Sequence, residues 1–444
     1  MIETLCKKLP VSALLRGLLE RCFLPERVNQ LFERHAQEQY TQQLLFSTLC
    51  DLLLQVVLRA QPSVHAAYQA QAEDMEVSAA ALYDKLKGVE VAVSAALVRD
   101  TARDLGAIQA ALGVERRDWL PGYRVRILDG NCLEGSEKRL KVQRGQSGAA
   151  LPGKSLVVLN AECGLLTEVF PCEDGHAQER SLLKAVLPTI RAGELWLADR
   201  NFCVMHFLSG IEDRHAHFLF RLHGKLPLTE LSPWSAPVMT DDGQQIAEQR
   251  VQVGERHYRR IRVELTQPTR DGDTFIDLIS SLPEDIDAVT LAALYRRRWT
   301  LETAFQKLEA HLESEINTLA YPRAALLGFC LALIVYNIFE VMLAAVDSVH
   351  DEPVAQNLST YYVANEIAST FLALLMLSED DDWSFLTALS ANEFAQWLRR
   401  VASHINIKKY RKHSRGPKKP PPKKTYDAKQ PHFSTQRLLH PSKE

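Results

Sequence analysis

The chain has 444 residues, 46% apolar and 24% charged, with a formal net charge of −3. These are ordinary values for a globular protein of two to four structural units, and they set aside a disordered or fibrous chain. The charge is lopsided: residues 408–444 hold twelve Lys/Arg against Asp427 and Glu444, a net of +10 that leaves the body at −13. A basic tail on an acidic body points to a polyanionic partner met first through the tail. Eight cysteines without a C-x-x-C pair read as isolated thiols of a reducing compartment. Cys163, Cys172 and His176 match no zinc spacing.

The first element, "MIETLCKKLPVSALLRGLLERC", starts with positive charge, but Arg16 interrupts its apolar run, which argues against a signal peptide. Residues 1–118 read as helical throughout. "RVNQLFERHAQEQYTQQLLFSTLCDLLLQVVL" and "VSAAALYDKLKGVEVAVSAALVRDTARDLGAIQAAL" carry apolar residues at helical spacing, and Ser78 is placed to cap the helix after it. Tyr83, Lys85 and Lys87 would point outward if that helix read DNA. A solvated face on a helical bundle is the favoured account.

The texture changes after Pro121 and Gly122. "YRVRILDGN" alternates its side chains, with Val125 and Ile127 on one face, and ends at Asp129. A Gly- and Lys-rich loop over 136–154 leads to the strands "SLVVLN" and "LLTEVFP". A helix over "QERSLLKAVLPTIRAG" then feeds the apolar strand "ELWLADRNF". The first three strands are close enough for a meander, whereas the fourth needs a crossover, which the helix supplies. Residues 204–284 form a β-rich block, with strands at "HFLFRL", "QRVQVG", "HYRRIRVELT" and "TFIDLISSL". Arg256, Arg259, Arg260 and Arg262 within it are a candidate phosphate-contacting surface.

Helices resume from about 287 to 400. "AALLGFCLALIVYNIFEVMLAAV", 324–346, exceeds the roughly 20 residues a bilayer requires. Asn337 and Glu340 lie inside the run, however, so a helix buried in a large core is favoured over a membrane span. "SEDDDW", 378–383, reads as a solvated acidic loop. Beyond 405 the Pro and Lys content cannot build a core, which predicts a flexible polybasic tail. Lys408, Lys409, Arg411 and Lys412 open it as DNA-binding candidates.

Three acids form the constellation that carries chemistry. Asp129 and Asp199 end strands, where reactive groups gather in such sheets, and two nearby carboxylates repel unless a cation lies between them. Hard oxygen ligands with open positions suit Mg²⁺, with Mn²⁺ as a substitute. Glu302, on the helix "LYRRRWTLETAFQKL", would complete a two-ion site for phosphoryl transfer. At about 100° per residue, Tyr295 and Arg298 share its face. A guanidinium there suits a phosphodiester, which it can grip in bidentate fashion. Leu294, Leu301 and Leu308 recur every seventh position as a packing stripe.

"LDGN", "LADRNF" and "YRRRWTLE" resemble the DDE transposases of bacterial insertion sequences, in the branch called insertion-sequence family four, which carries a Tyr–Arg–Glu–Lys signature. The resemblance is strongest over 120–340. It implies an RNase H-like α/β core with helical N- and C-terminal regions. Asp129, Asp199 and Glu302 would be the catalytic, metal-binding triad, with Tyr295 and Arg298 on DNA phosphate. The signature lysine is absent: its position is Glu309, and Lys307 lies about 140° round the helix. The expected organisation is a helical region over 1–118, core over 119–208, β-rich insertion over 209–286, completing core helices over 287–347, C-terminal helices over 348–405 and a disordered tail over 406–444. The expected protein is a DNA transposase that cuts its element's ends and joins the 3′ hydroxyls to target DNA. It would act as a homodimer on DNA in the cytoplasm, with no membrane. A catalytically dead regulator, a repair-type nuclease and a membrane-anchored protein are the rival readings.

Overall fold

A computed structural model describes residues 2–412 apart from 40–42, 74, 76, 115–118, 134–139, 141–150, 269–271, 351–353 and 378–379. Most of the Gly- and Lys-rich loop, the start of "SEDDDW" and the tail beyond Lys412 therefore lie outside the described residues. The N-terminal region is helical, as its periodicity predicts: α1 (Ile2–Lys8), α2 (Pro10–Cys22), α3 (Pro25–His35), α4 (Phe46–Val57), α5 (Val64–Ala70), α6 (Ala79–Leu86) and α7 (Val91–Ala111). Ser78 caps α6, its hydroxyl accepting from the Ala81 N–H at 3.3 Å. The face considered for DNA reading is engaged with the protein. The Lys85 ammonium lies over the Phe32 ring, Lys87 pairs with Asp84, and burial raises the Tyr83 phenol's pKa.

The strands build one mixed sheet. β1 (Arg124–Cys132), β2 (Lys154–Asn160) and β3 (Leu165–Cys172) form the antiparallel meander. The crossover was expected to be one helix. It is instead a 3-10 turn at 179–182, the short α8 (Leu183–Val186) and a second 3-10 turn at 187–189. Pro188, which has no N–H to donate, breaks the longer helix. β4 (Glu194–Ala198) returns parallel to β1, and α9 (Met205–Glu212) leads to β5 (His217–Arg221), parallel to β4.

Beyond β5 the sheet continues without interruption. β6 (Thr229–Glu230), β7 (Val238–Met239), β8 (Gln245–Val253), β9 (Arg256–Glu264) and β10 (Phe275–Ser280) give the order β3-β2-β1-β4-β5-β10-β9-β8-β6, with β7 also on β8. Two expectations change here. "HFLFRL" was grouped with the β-rich block, yet it pairs with the core strand β4, and the expected boundary at 208/209 falls inside α9. Phe218, Leu219 and Phe220 are all fully buried, the continuous apolar run of a strand covered on both faces. Such a local run marks a strand but does not name its neighbour.

Strand alternation sends side chains into two cores. Val125, Ile127, Leu195 and Leu197 join the N-terminal helices and α12 (Pro322–Asp347), while Leu128, Trp196 and Ala198 pack with α8 and α9 on the other face. The 324–346 run is thus the central helix of the larger core, buried along 89% of its most apolar window. Asn337, fully buried, explains the polar interruption. Its amide accepts from the Leu166 N–H at 2.7 Å and donates to the Leu166 carbonyl at 2.8 Å, satisfying the outer strand β3. Asn337→Leu orphans both groups, at about 1–3 kcal/mol each. We expect urea denaturation to show a loss of about 2–4 kcal/mol. A loss below about 1 kcal/mol would mean β3 finds other partners.

Candidate active site

The site is built where the parallel ladder ends. The last registered pair of β1 and β4 is Leu128 with Ala198, so Asp129 and Asp199 are the next residues on adjacent strands, which lie about 4.8 Å apart. Asp129 was expected to end its strand. β1 in fact runs on to Cys132 by pairing with β2, and Asp129 lies opposite Val157. Alternation places Asp129 on the face of Ile127, toward the larger core. Asp199 is still extended, at φ −75° and ψ 169°, as it enters the 3-10 turn 200–202, and its side chain makes no capping hydrogen bond.

Glu302 comes from the helical side. The stretch 294–308 was expected as one helix. It comprises the end of α10 (Ala288–Arg296), a 3-10 turn over Arg297–Trp299, and α11 (Thr300–His311). Asp287 starts α10, its carboxylate accepting from the Thr290 N–H at 2.8 Å. Leu294, Leu301 and Leu308 are buried, so the seven-residue stripe anchors both helices and turns the face between them toward β1. The sequence left Arg298 and Glu302 as an i, i+4 pair that could be a surface decoration. The structure draws Arg298 inside, with a side chain only 7% exposed.

Arg298 joins the acids. Its Nη1 donates to Asp129 Oδ2 at 2.7 Å and its Nη2 to Glu302 Oε1 at 2.7 Å. Tyr295, expected with Arg298 on DNA phosphate, is buried beneath it, with the guanidinium 5.9 Å from the ring centroid. Burial raises the Asp129 carboxyl to about 6, against the pull of Arg298 and the Gly130 N–H, and the charges of Glu302 and Asp199 push the same way as burial. All three acids therefore act in one electrostatic neighbourhood. Burial opposes the Arg298 charge, but Tyr295, Asp129, Glu302 and Asp199 together hold its pKa above the ordinary value. Burial likewise raises the Tyr295 phenol's pKa.

The donor set is hard carboxylate oxygen, the chemistry of Mg²⁺ and Mn²⁺ sites. Among the described residues no group of three or more His, Cys, Asp or Glu converges as a preformed metal cage. The guanidinium of Arg298 provides the positive charge that Asp129 and Glu302 require. These residues fit a divalent ion in kind, and Arg298 must let go of Asp129 for that carboxylate to serve one.

Other expected contacts fall elsewhere. Lys307, from which the signature lysine's role was withheld, pairs with Glu340 of α12 at 2.8 Å. Glu309 is exposed on α11. The arginines of the β-rich block are committed to acids, contrary to a free phosphate-binding surface. Arg256 pairs with Glu212 and Asp213, Arg259 with Glu248, and Arg260 and Arg262 share Asp277. Arg262 also sits over the Trp234 and Phe275 rings. The strands align these arginines with acids on their neighbours, a pairing that residue spacing alone does not reveal. Residues 407–412, expected within the disordered tail, are docked. A short helix (Ile407–Tyr410) places Lys409 on Glu366, and Arg411 forms a β-bridge with Leu358. Lys408, Arg411 and Lys412 are exposed.

Two further residues escaped the sequence reading. Arg59 adopts a left-handed φ of 58° and donates to the carbonyls of Glu309, Ala310 and Leu312 at 3.0, 3.1 and 2.8 Å, closing the end of the helix that carries Glu302. Nothing in its sequence neighbourhood signals this. Glu179 lies against Gly130 and Asn201. The Gly of "LDGN" and the Asn of "DRNF" were a usable hint.

No curated protein matches the chain. Among solved structures, a cryo-EM structure of a piggyBac transposase synaptic complex with hairpin DNA is similar at 13% identity and a TM-score of 0.41, with 91% of this chain and 86% of that one covered. Residues 120–338 match the family model described as the transposase DDE domain, a stretch that holds Asp129, Asp199, Arg298 and Glu302.

Proposed function

We propose that the protein is the DNA transposase of a bacterial insertion sequence, of the family-four type, with an RNase H-like core formed by β1–β5. It cuts the ends of its element and joins the freed 3′ hydroxyls to target DNA. The observation that carries this reading is Arg298 bonded at once to Asp129 and Glu302, beside Asp199, within the stretch that matches the DDE domain. Asp129, Asp199 and Glu302 would hold divalent ions, Mg²⁺ in the cell. Such ions would supply charge stabilisation to attacking and leaving oxygens in an in-line displacement.

The chain's own residues do the rest. Asp129, a carboxylate above about pH 6, is the acid that Arg298 releases. Arg298 exchanges a carboxylate for a DNA phosphate, which its planar fork can grip through two parallel bonds. Tyr295 keeps the guanidinium aligned by packing beneath it. Two copies act together, because two ends must be joined coherently, and the protein works in the cytoplasm on the nucleoid. The test supplies candidate element ends and a target plasmid with Mg²⁺ or Mn²⁺. Joined products support transposition. Cleavage without joining would replace this reading with a nuclease.

The tail is proposed to bind phosphates without sequence preference. Removing 413–444 deletes eight Lys/Arg. Each cation that meets a B-DNA phosphate adds about 0.9 to the slope of log affinity against log salt. Truncation should therefore flatten that slope by as much as about 7 units in a salt series of fluorescence-anisotropy titrations. An unchanged slope would assign the tail another task.

A further inference from the structure

On the face of β1 opposite Arg298, another carboxylate supports the site from behind. Glu179 opens the 3-10 turn 179–182 of the crossover. It accepts a hydrogen bond from Asn201 Nδ2 at 2.5 Å, and Asn201 stands two residues after Asp199. The next residue, Arg180, donates from Nε to the Asn201 carbonyl at 2.7 Å. The crossover thus holds Asn201 by both side chain and backbone. The Glu179 carboxylate also lies on the backbone of Gly130. A Cβ built there would stand 2.2 Å from Glu179 Oε1 and 2.7 Å from its Cδ. What the glycine supplies is room for this approach. The Gly130 N–H in turn donates to Asp129 Oδ1 at 2.9 Å.

Glu179 therefore touches the residue after Asp129 and the residue two after Asp199. Both contacts lie past the last registered pair of β1 and β4, where the ladder no longer fixes the distance between the two acids. Gly130 faces the side of Leu128, whereas Asp129 faces α11, by strand alternation. The Glu179 carboxylate accordingly stands behind the acid pair rather than among its oxygens.

We propose that Glu179, acting through Asn201 and Gly130, is a positioning residue that sets the separation of Asp129 and Asp199. The inference rests on the metal-dependent reading of those two acids. Groups one layer behind metal-binding carboxylates orient them, and their loss costs roughly 10–100-fold in metal affinity or activity.

The test uses the full chain, with two readouts: Mn²⁺ binding without DNA, followed by the Mn²⁺ EPR signal, and nicking of supercoiled plasmid across a Mn²⁺ series. Glu179→Ala should weaken Mn²⁺ binding about 10-fold and raise the half-saturating Mn²⁺ concentration for nicking to match. Asn201→Ala should do the same, and it reports from the other partner should Glu179→Ala fail to fold. Glu179→Gln, whose amide oxygen still accepts from Asn201, should stay within about twofold of the parent. Gly130→Ala should also weaken Mn²⁺ binding. Adding Glu179→Ala to it should cost nothing more, because the overlapping carboxylate is gone; contacting residues couple in this way. Parent-like Mn²⁺ binding in both Glu179→Ala and Asn201→Ala overturns the proposal. Equal losses for Glu179→Gln and Glu179→Ala overturn it in favour of a direct charge role. Asp129→Ala, run in parallel, separates the layers: if it nicks like the parent, the reading of the acids themselves fails.

Discussion

Alanine at Asp129, Asp199 or Glu302 should each abolish DNA cleavage, with losses on the order of 10³-fold or more. Groups that act as one unit lose most of their effect when any member is removed, and double variants then cost little beyond single ones. Asp129→Asn is the sharpest version. It keeps the shape beside Gly130 and can still accept a bond from Arg298, yet it removes the charge a divalent ion needs. Plasmid nicking at saturating Mn²⁺ measures the loss, and circular dichroism confirms that the variants fold. A variant that retains a tenth of the parent rate would take that residue out of the site. Three independent losses that multiply in double variants would argue against a shared centre.

Arg298→Ala should have the second large effect, and its size depends on pH. The Arg298 side chain is 7% exposed and Asp129 19%, whereas Glu302 is 45% exposed. Removing one member of a fully buried ion pair costs about 3–5 kcal/mol. Exposure of Glu302 reduces that, and about 2–3 kcal/mol is expected at pH 8 without metal. In the parent, the Asp129 carboxyl titrates near 6 in the folded state, above its ordinary value of about 4. The folded protein therefore binds that proton more tightly than the unfolded chain. This contribution to stability is full below about pH 4 and is lost as pH rises through about 6.

Without Arg298, the guanidinium no longer holds the Asp129 value down, so the loss shifts to higher pH. The variant should thus be much closer to the parent at pH 5, where Asp129 takes a proton instead of standing as an unpaired charge. Urea denaturation in EDTA at pH 5 and pH 8 reads the difference. Equal destabilisation at both pH values would mean that Arg298 contributes packing rather than charge. The same variant should cleave poorly at every pH, since it lacks the fork proposed to take the phosphate.

How much of this was legible beforehand differs from element to element. The buried helix over 324–346 could be read from its unbroken apolar run, and Asn337 was flagged as the residue at odds with lipid. Its partner on β3 could not be read, because the bond to Leu166 spans 171 residues. The strand that carries Asp199 was visible because an apolar run stopped at an acid. The pairing of β5 with β4 was hidden, since an apolar run marks a strand without naming the strand beside it. The arginines of that block looked like a phosphate surface until the neighbouring strands brought Glu248 and Asp277 against them.

The sequence by itself determined most elements and their order, Asp199 at the end of its strand, the shared face of Tyr295, Arg298 and Glu302, and the excess of positive charge from 408 onward. These depend on side-chain periodicity and backbone geometry within about a dozen residues. Tertiary structure alone decided that Arg298 leaves solvent to join two carboxylates, that Arg59 closes α11, and that Glu179 meets Gly130. Those contacts arise only when the chain brings together groups as far apart as the 253 residues between Arg59 and Leu312. Local pattern carries no register for such meetings, which are fixed by how the sheet and its helices pack.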